Sequence, residues 1–112
     1  MKCRIILELL AILFFTGCYN REQISRLDEA EALIQNKPDS ALTILQQLKS
    51  EGSQAEQARY ALLYSEALDK NHIKATNDSL IRRAWEYYKH HPKDLRRQCK
   101  TLYYWGKVKL RA

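Results

Sequence analysis

Asn36-Lys37-Pro38-Asp39-Ser40-Ala41-Leu42-Thr43-Ile44-Leu45-Gln46-Gln47-Leu48 contains a helix stop, a helix start and an apolar stripe in one short stretch. Pro38 disfavours helical backbone at Lys37, while its fixed φ suits the first turn of the next helix. Ala41, Leu42, Leu45 and Leu48 then recur at helical spacing with Ile44 beside them, so a helix is predicted from Pro38 to Lys49. Asp39 and Ser40 can cap its first amides. Upstream, Ile24, Leu27, Ala30, Leu33 and Ile34 share one face of a second helix, predicted from Ile24 to Gln35. A tight polar turn between two amphipathic helices makes an antiparallel hairpin.

The pattern repeats downstream. Ser50-Glu51-Gly52-Ser53 is a loop, and a third helix is predicted from Ser53 to Asp69. Its inner side is expected to carry Ala58, Leu62, Tyr64 or Ala61, Ser65 and Leu68. After a polar connection, Asn77 or Asp78 opens a fourth helix with Leu80, Ile81, Ala84, Trp85 and Tyr88 inside, and His90-His91-Pro92 closes it. Asp94 opens a fifth, in which Leu95, Cys99, Leu102, Tyr103 and Gly106 are expected to face inward. Alternating apolar patterns typical of strands are absent. The fold class predicted is all-α: antiparallel hairpins in series, about five helices, arranged as a solenoid.

Two pairs of positions support internal repetition. Ala41-x3-Leu45 and Ala84-x3-Tyr88 place a small residue before a large one in the second helix of each hairpin. Tyr60-x2-Leu63-Tyr64 and Leu102-x2-Trp105-Gly106 match in the first helices. These positions resemble tetratricopeptide repeats, whose two helices read W-x2-L-G-x2-Y and A-x3-F. The stretches 36–48, 58–71, 76–80 and 102–108 together look like the helical-repeat lipoproteins of Bacteroides-type bacteria. That resemblance implies an interaction or sensory array. In the family a similar segment usually begins a longer array, so the helical domain, 24–112, is expected to be incomplete at its C-terminus. A truncated sensor fragment is the corresponding alternative.

The N-terminus gives an address. Lys2 and Arg4 form a basic head, and Ile5 to Phe15 form an apolar run interrupted only by Glu8. That run falls short of the roughly 20 residues of a spanning helix. Phe15-Thr16-Gly17-Cys18 follows, an order typical of a secretory signal. Thr16, Gly17 and Cys18 resemble the lipobox of bacterial lipoproteins, which implies cleavage of residues 1–17, acylation of Cys18 and a lipidated tether over 18–23. Membrane lipid is therefore the first expected partner, in the extracytoplasmic cell envelope.

Charge and chemistry narrow the rest. The net charge is +6. It divides into +1 over residues 1–17, −3 over residues 18–81 and +8 over residues 82–112, a basic end read as a solvated helical face. Nucleic acid is not an expected partner of an exported lipoprotein. With Cys3 in the signal and Cys18 lipidated, Cys99 has no disulfide partner. A redox or accessory role for Cys99 is the rival reading. His90, His91 and Cys99 lack the spacing of a zinc site, and neither metal nor cofactor is expected. Asp28, Glu29 and Glu31 read as a solvated helix turn. No nucleophile elbow or phosphate loop is present, so the chain is read as non-catalytic. Among the aromatic residues of the basic end, Trp85, Tyr88 and Trp105, with Arg96, are the candidate surface for a protein or peptide partner.

Overall fold

Pro38 sits at the first turn of a helix, as its ring geometry requires, and the hairpins form around it. The computed structural model describes residues 21–111. The expected signal segment, Cys18 and the start of the expected tether lie outside the described residues. Within them are five helices and no strand: α1 (residues 21–33), α2 (Pro38–Gln47), α3 (Gln54–Lys70), α4 (Ser79–Tyr88) and α5 (Leu95–Arg111). The protein is all-α. No helix among the described residues is long and apolar enough to cross a membrane.

The helix α3 is the shared wall. Leu63 and Ala67 on one side join Leu27, Ala30 and Ile34 after and within α1, and Ala41, Leu42, Ile44 and Leu45 of α2. Ala58, Ala61 and Leu62 on another side meet Ile81, Ala84 and Tyr88 of α4 and Tyr104 of α5. Adjacent residues on a helix point about 100° apart, which is how Leu62 and Leu63 serve different cores. The expected single inner face of α3 is thus corrected to two. Small residues at Ala58, Ala61 and Ala84 allow the close approach of α3 and α4.

Several boundaries differ from the sequence reading. The helix α1 already includes residues 21–23, which the sequence reading placed before the first helix. Gln23 is buried and donates to the carbonyls of Lys49 and Glu51 at 3.2 and 2.8 Å. Ile24 is exposed, because the buried side of α1 runs through Gln23, Leu27 and Ala30. Lys37 precedes α2 without a side-chain cap, so Asp39 and Ser40 do not act as its N-cap. Ser53, by contrast, caps α3, its Oγ accepting from the Glu56 amide at 3.2 Å. Asn77 Oδ1 accepts from the Ser79 amide at 3.0 Å where α4 begins.

The end of α3 is closed by a Schellman motif. The Ile73 amide donates to Leu68 O at 2.9 Å and the His72 amide to Asp69 O at 3.0 Å. His72 occupies the left-handed position at φ 58°, where glycine is the usual choice. Just before it, Asn71 Nδ2 donates to Ala67 O at 2.7 Å and to Pro38 O at 2.9 Å. One amide therefore ties the end of α3 to the start of α2.

The largest correction concerns α5. Leu95, Cys99, Leu102, Tyr103 and Gly106 do not face inward; all five are exposed. The inner side is instead Arg97, Thr101, Tyr104 and Val108, with Trp105 at its edge. Both stripes have helical period, and the more apolar one is the one left exposed. On the inner side Tyr104 and Val108 pack into the second core, and Arg97 and Lys100 reach carboxylates on α1 and α3.

Candidate interaction surface

Three elements contribute charge to one seam. Asp28 and Glu31 on α1 face Arg59 on α3. Arg59 Nη2 donates to Asp28 Oδ1 at 2.6 Å, its Nε donates to Glu31 Oε2 at 3.1 Å, and Nη2 also contacts that same carboxylate. Arg97 on α5 reaches both Glu31 oxygens at 3.3 Å and holds Asp94 at 2.9 Å. Two guanidinium groups from two helices thus grip one carboxylate from a third. Farther along, Lys100 Nζ lies 3.2 Å from both oxygens of Glu66, and Lys107 Nζ lies 2.9 Å from Asp69 Oδ2. Gln35 donates to Glu66 at 3.4 Å and accepts from Lys70 at 3.2 Å.

The basic end is therefore not simply a solvated face. Arg97, Lys100 and Lys107 are matched to acids on α1 and α3, and Asp28 and Glu31 are paired across helices. Periodicity within each helix could not reveal this, because every pair is non-local. One signal was available: Glu66 interrupts an otherwise apolar run, Ala61-Leu62-Leu63-Tyr64-Ser65-Glu66-Ala67-Leu68.

Burial of Glu31 opposes its ionisation. Hydrogen bonds and charges from Arg59 and Arg97 outweigh that, holding its carboxyl below the ordinary glutamate value. An acid whose pKa is lowered by folding stabilises the fold above its unfolded-state pKa. The contribution is lost as pH falls through the folded value. Between about pH 6 and about pH 3, the melting temperature of the wild-type chain should fall more steeply than that of Glu31→Gln. Equal slopes in the two proteins would remove Glu31 from the acid response.

The four candidate binding residues do not form one surface. Tyr88 is 2% exposed and belongs to the core, where burial pushes its phenol up to about 12. Trp85 and Trp105 are half-buried and lie together, ring centroids 6.2 Å apart. The Trp105 indole donates to Asp78 Oδ2 at 3.1 Å, and Lys109 Nζ sits 4.8 Å from its ring centroid. Arg82 takes both Asp78 oxygens at 2.9 Å. Hydrogen bonds from Arg82 and then Trp105 hold the Asp78 carboxyl below its ordinary value. Trp85 and Trp105 are thus brought together as a sealed edge between α4 and α5. Arg96 is exposed but stands nine residues before Trp105, on the opposite side of the helix.

Elsewhere, His91 stacks on Tyr87 with centroids 3.8 Å apart, and its Nδ1 lies 2.7 Å from Tyr87 O. No group of three or more metal-ligating side chains gathers among the described residues. Cys99 stands on the exposed side of α5. None of the family models, curated proteins or solved structures compared with it matches this chain.

Proposed function

We propose that this chain is a lipid-anchored, helical-repeat interaction module of a bacterial cell envelope, working through protein contacts and not through catalysis. The observation that carries the reading is α3, shared between the cores of two successive hairpins. Such sharing suits a tetratricopeptide-like array, in which each unit buries its apolar side only against a neighbour. The acids and bases that converge between helices are spent on one another, as structural pairs.

The tether rests on Thr16-Gly17-Cys18 behind a basic head and an apolar run. Two or three acyl chains on Cys18 give slow release, since each buried methylene contributes about 0.8 kcal/mol. The test is Cys18→Ser expressed in a lipoprotein-processing bacterium. Wild-type protein should incorporate labelled palmitate and sediment with membranes in high salt. The variant should take up no label and accumulate as precursor. A variant that matures and sediments like wild type would overturn the anchor.

A further inference from the structure

The exposed side of α5 is a seam without a partner among the described residues. Leu95, Cys99, Leu102, Gly106 and Leu110 follow one another at steps of four, three, four and four, a line of roughly 22 Å along the helix. Leu102 is 49% exposed and Leu110 89%. Gly106 sits in the middle, and a Cβ built on it would meet nothing within 4 Å. The fold itself therefore does not require glycine there, although glycine weakens a helix. A second helix lying along the seam would gain from it, because a missing side chain lets two backbones approach.

Charge selects the partner. The helix α5 contains six Lys or Arg and no acid. Lys100 and Lys107 are engaged with Glu66 and Asp69, but Arg96 and Lys109, on opposite flanks of the seam, have no carboxylate within salt-bridge distance among the described residues, Lys109 lying over the Trp105 ring instead. A second copy would set basic flank against basic flank. A lipid surface would be served better by a broad apolar face than by a narrow line notched at Gly106. We infer that α5 docks an acidic amphipathic helix of a partner protein, its apolar stripe against Leu95, Leu102 and Leu110 and its carboxylates against Arg96 and Lys109. This deepens the proposed interaction role and rests on it.

The experiment uses the full chain in mild detergent and two synthetic helical peptides, each with leucines at heptad spacing. One has glutamates flanking the leucines, the other lysines. Binding is read by fluorescence anisotropy, and alkylation of Cys99 by maleimide is followed by peptide-level mass spectrometry. The glutamate peptide should bind and slow Cys99 alkylation at least tenfold, with binding weakened by salt. Leu102→Glu, at an exposed position, should abolish both effects. The double variant Arg96→Glu/Lys109→Glu should switch preference to the lysine peptide. Equal binding of both peptides, or no protection of Cys99, overturns the proposal. So does self-association that buries Cys99 without peptide, or protection by anionic phospholipid vesicles alone. The readout does not depend on Cys18, so failure here with an intact palmitate result removes the docking surface and leaves the tether. The converse result leaves the docking surface alone.

Discussion

Lys100→Met should lower the stability of the fold by about 2–4 kcal/mol. The cause lies with the partner left behind. Glu66 is 1% exposed, and Lys100 is the cation within reach of both its oxygens. Removing the ammonium leaves a carboxylate between α3 and α5 with the Tyr104 hydroxyl and the long 3.4 Å bond from Gln35, neither of which carries a compensating charge. Breaking a buried ion pair from one side costs about 3–5 kcal/mol. Lys100 itself is 27% exposed, so water admitted beside it puts the expected value towards the lower end. The double variant Glu66→Leu/Lys100→Met removes both desolvation penalties and should recover most of the loss. Urea unfolding of the three proteins checks this. A single variant within about 0.5 kcal/mol of wild type would place the pair in the class of surface bridges.

Leu45→Ala and Ile81→Ala each destabilise by about 2–4 kcal/mol, the transfer free energy of the lost methyl groups plus the cavity left behind. Leu45 is fully buried in the α1–α2–α3 core, and Ile81 is 1% exposed in the α3–α4–α5 core. The informative quantity is cooperativity. Both tryptophans, Trp85 and Trp105, lie in the second core's neighbourhood, so fluorescence reads that half while far-ultraviolet circular dichroism reads every helix. Because α3 walls both cores, Leu45→Ala should shift the two signals to one common, lower midpoint. Separate midpoints would show that the hairpins melt independently.

Much of this architecture was legible in residues 36–48. Proline placed the start of α2, and local periodicity identified Leu27, Ala30, Ile34, Ala41, Leu42, Leu45, Ile81, Ala84 and Tyr88 as core. It failed where a helix has two apolar sides. Leu62 and Leu63 occupy different cores, which a single stripe cannot express. On α5, periodicity pointed to the stripe through Cys99 and Leu102, whereas the inner side runs through Arg97, Thr101, Tyr104 and Val108. That face brings Tyr104 into the second core and lets Arg97 and Lys100 pair with Glu31 and Glu66, partners far away in the chain. For the candidate surface, the aromatic residues were recognised as a group, yet Tyr88 was buried and Arg96 pointed away from Trp105. Composition can count aromatic and basic groups but does not assign them to sides of a helix.

The grip of Arg97 on Glu31 spans 66 residues. A chain of hairpins in which each unit touches only its neighbour can assemble progressively from either end. Here the acidic side of α1 acquires one of its two guanidinium partners only when α5 arrives. During synthesis, which runs from the N-terminus, α1 to α3 can associate while Glu31 holds Arg59 alone. Docking of α5 is then a late step, guided by charge and slowed by salt. Among the described residues the Glu31–Arg97 pair is the cross-helix bond of greatest chain separation, so α1 gains its second guanidinium only after α5 has been made.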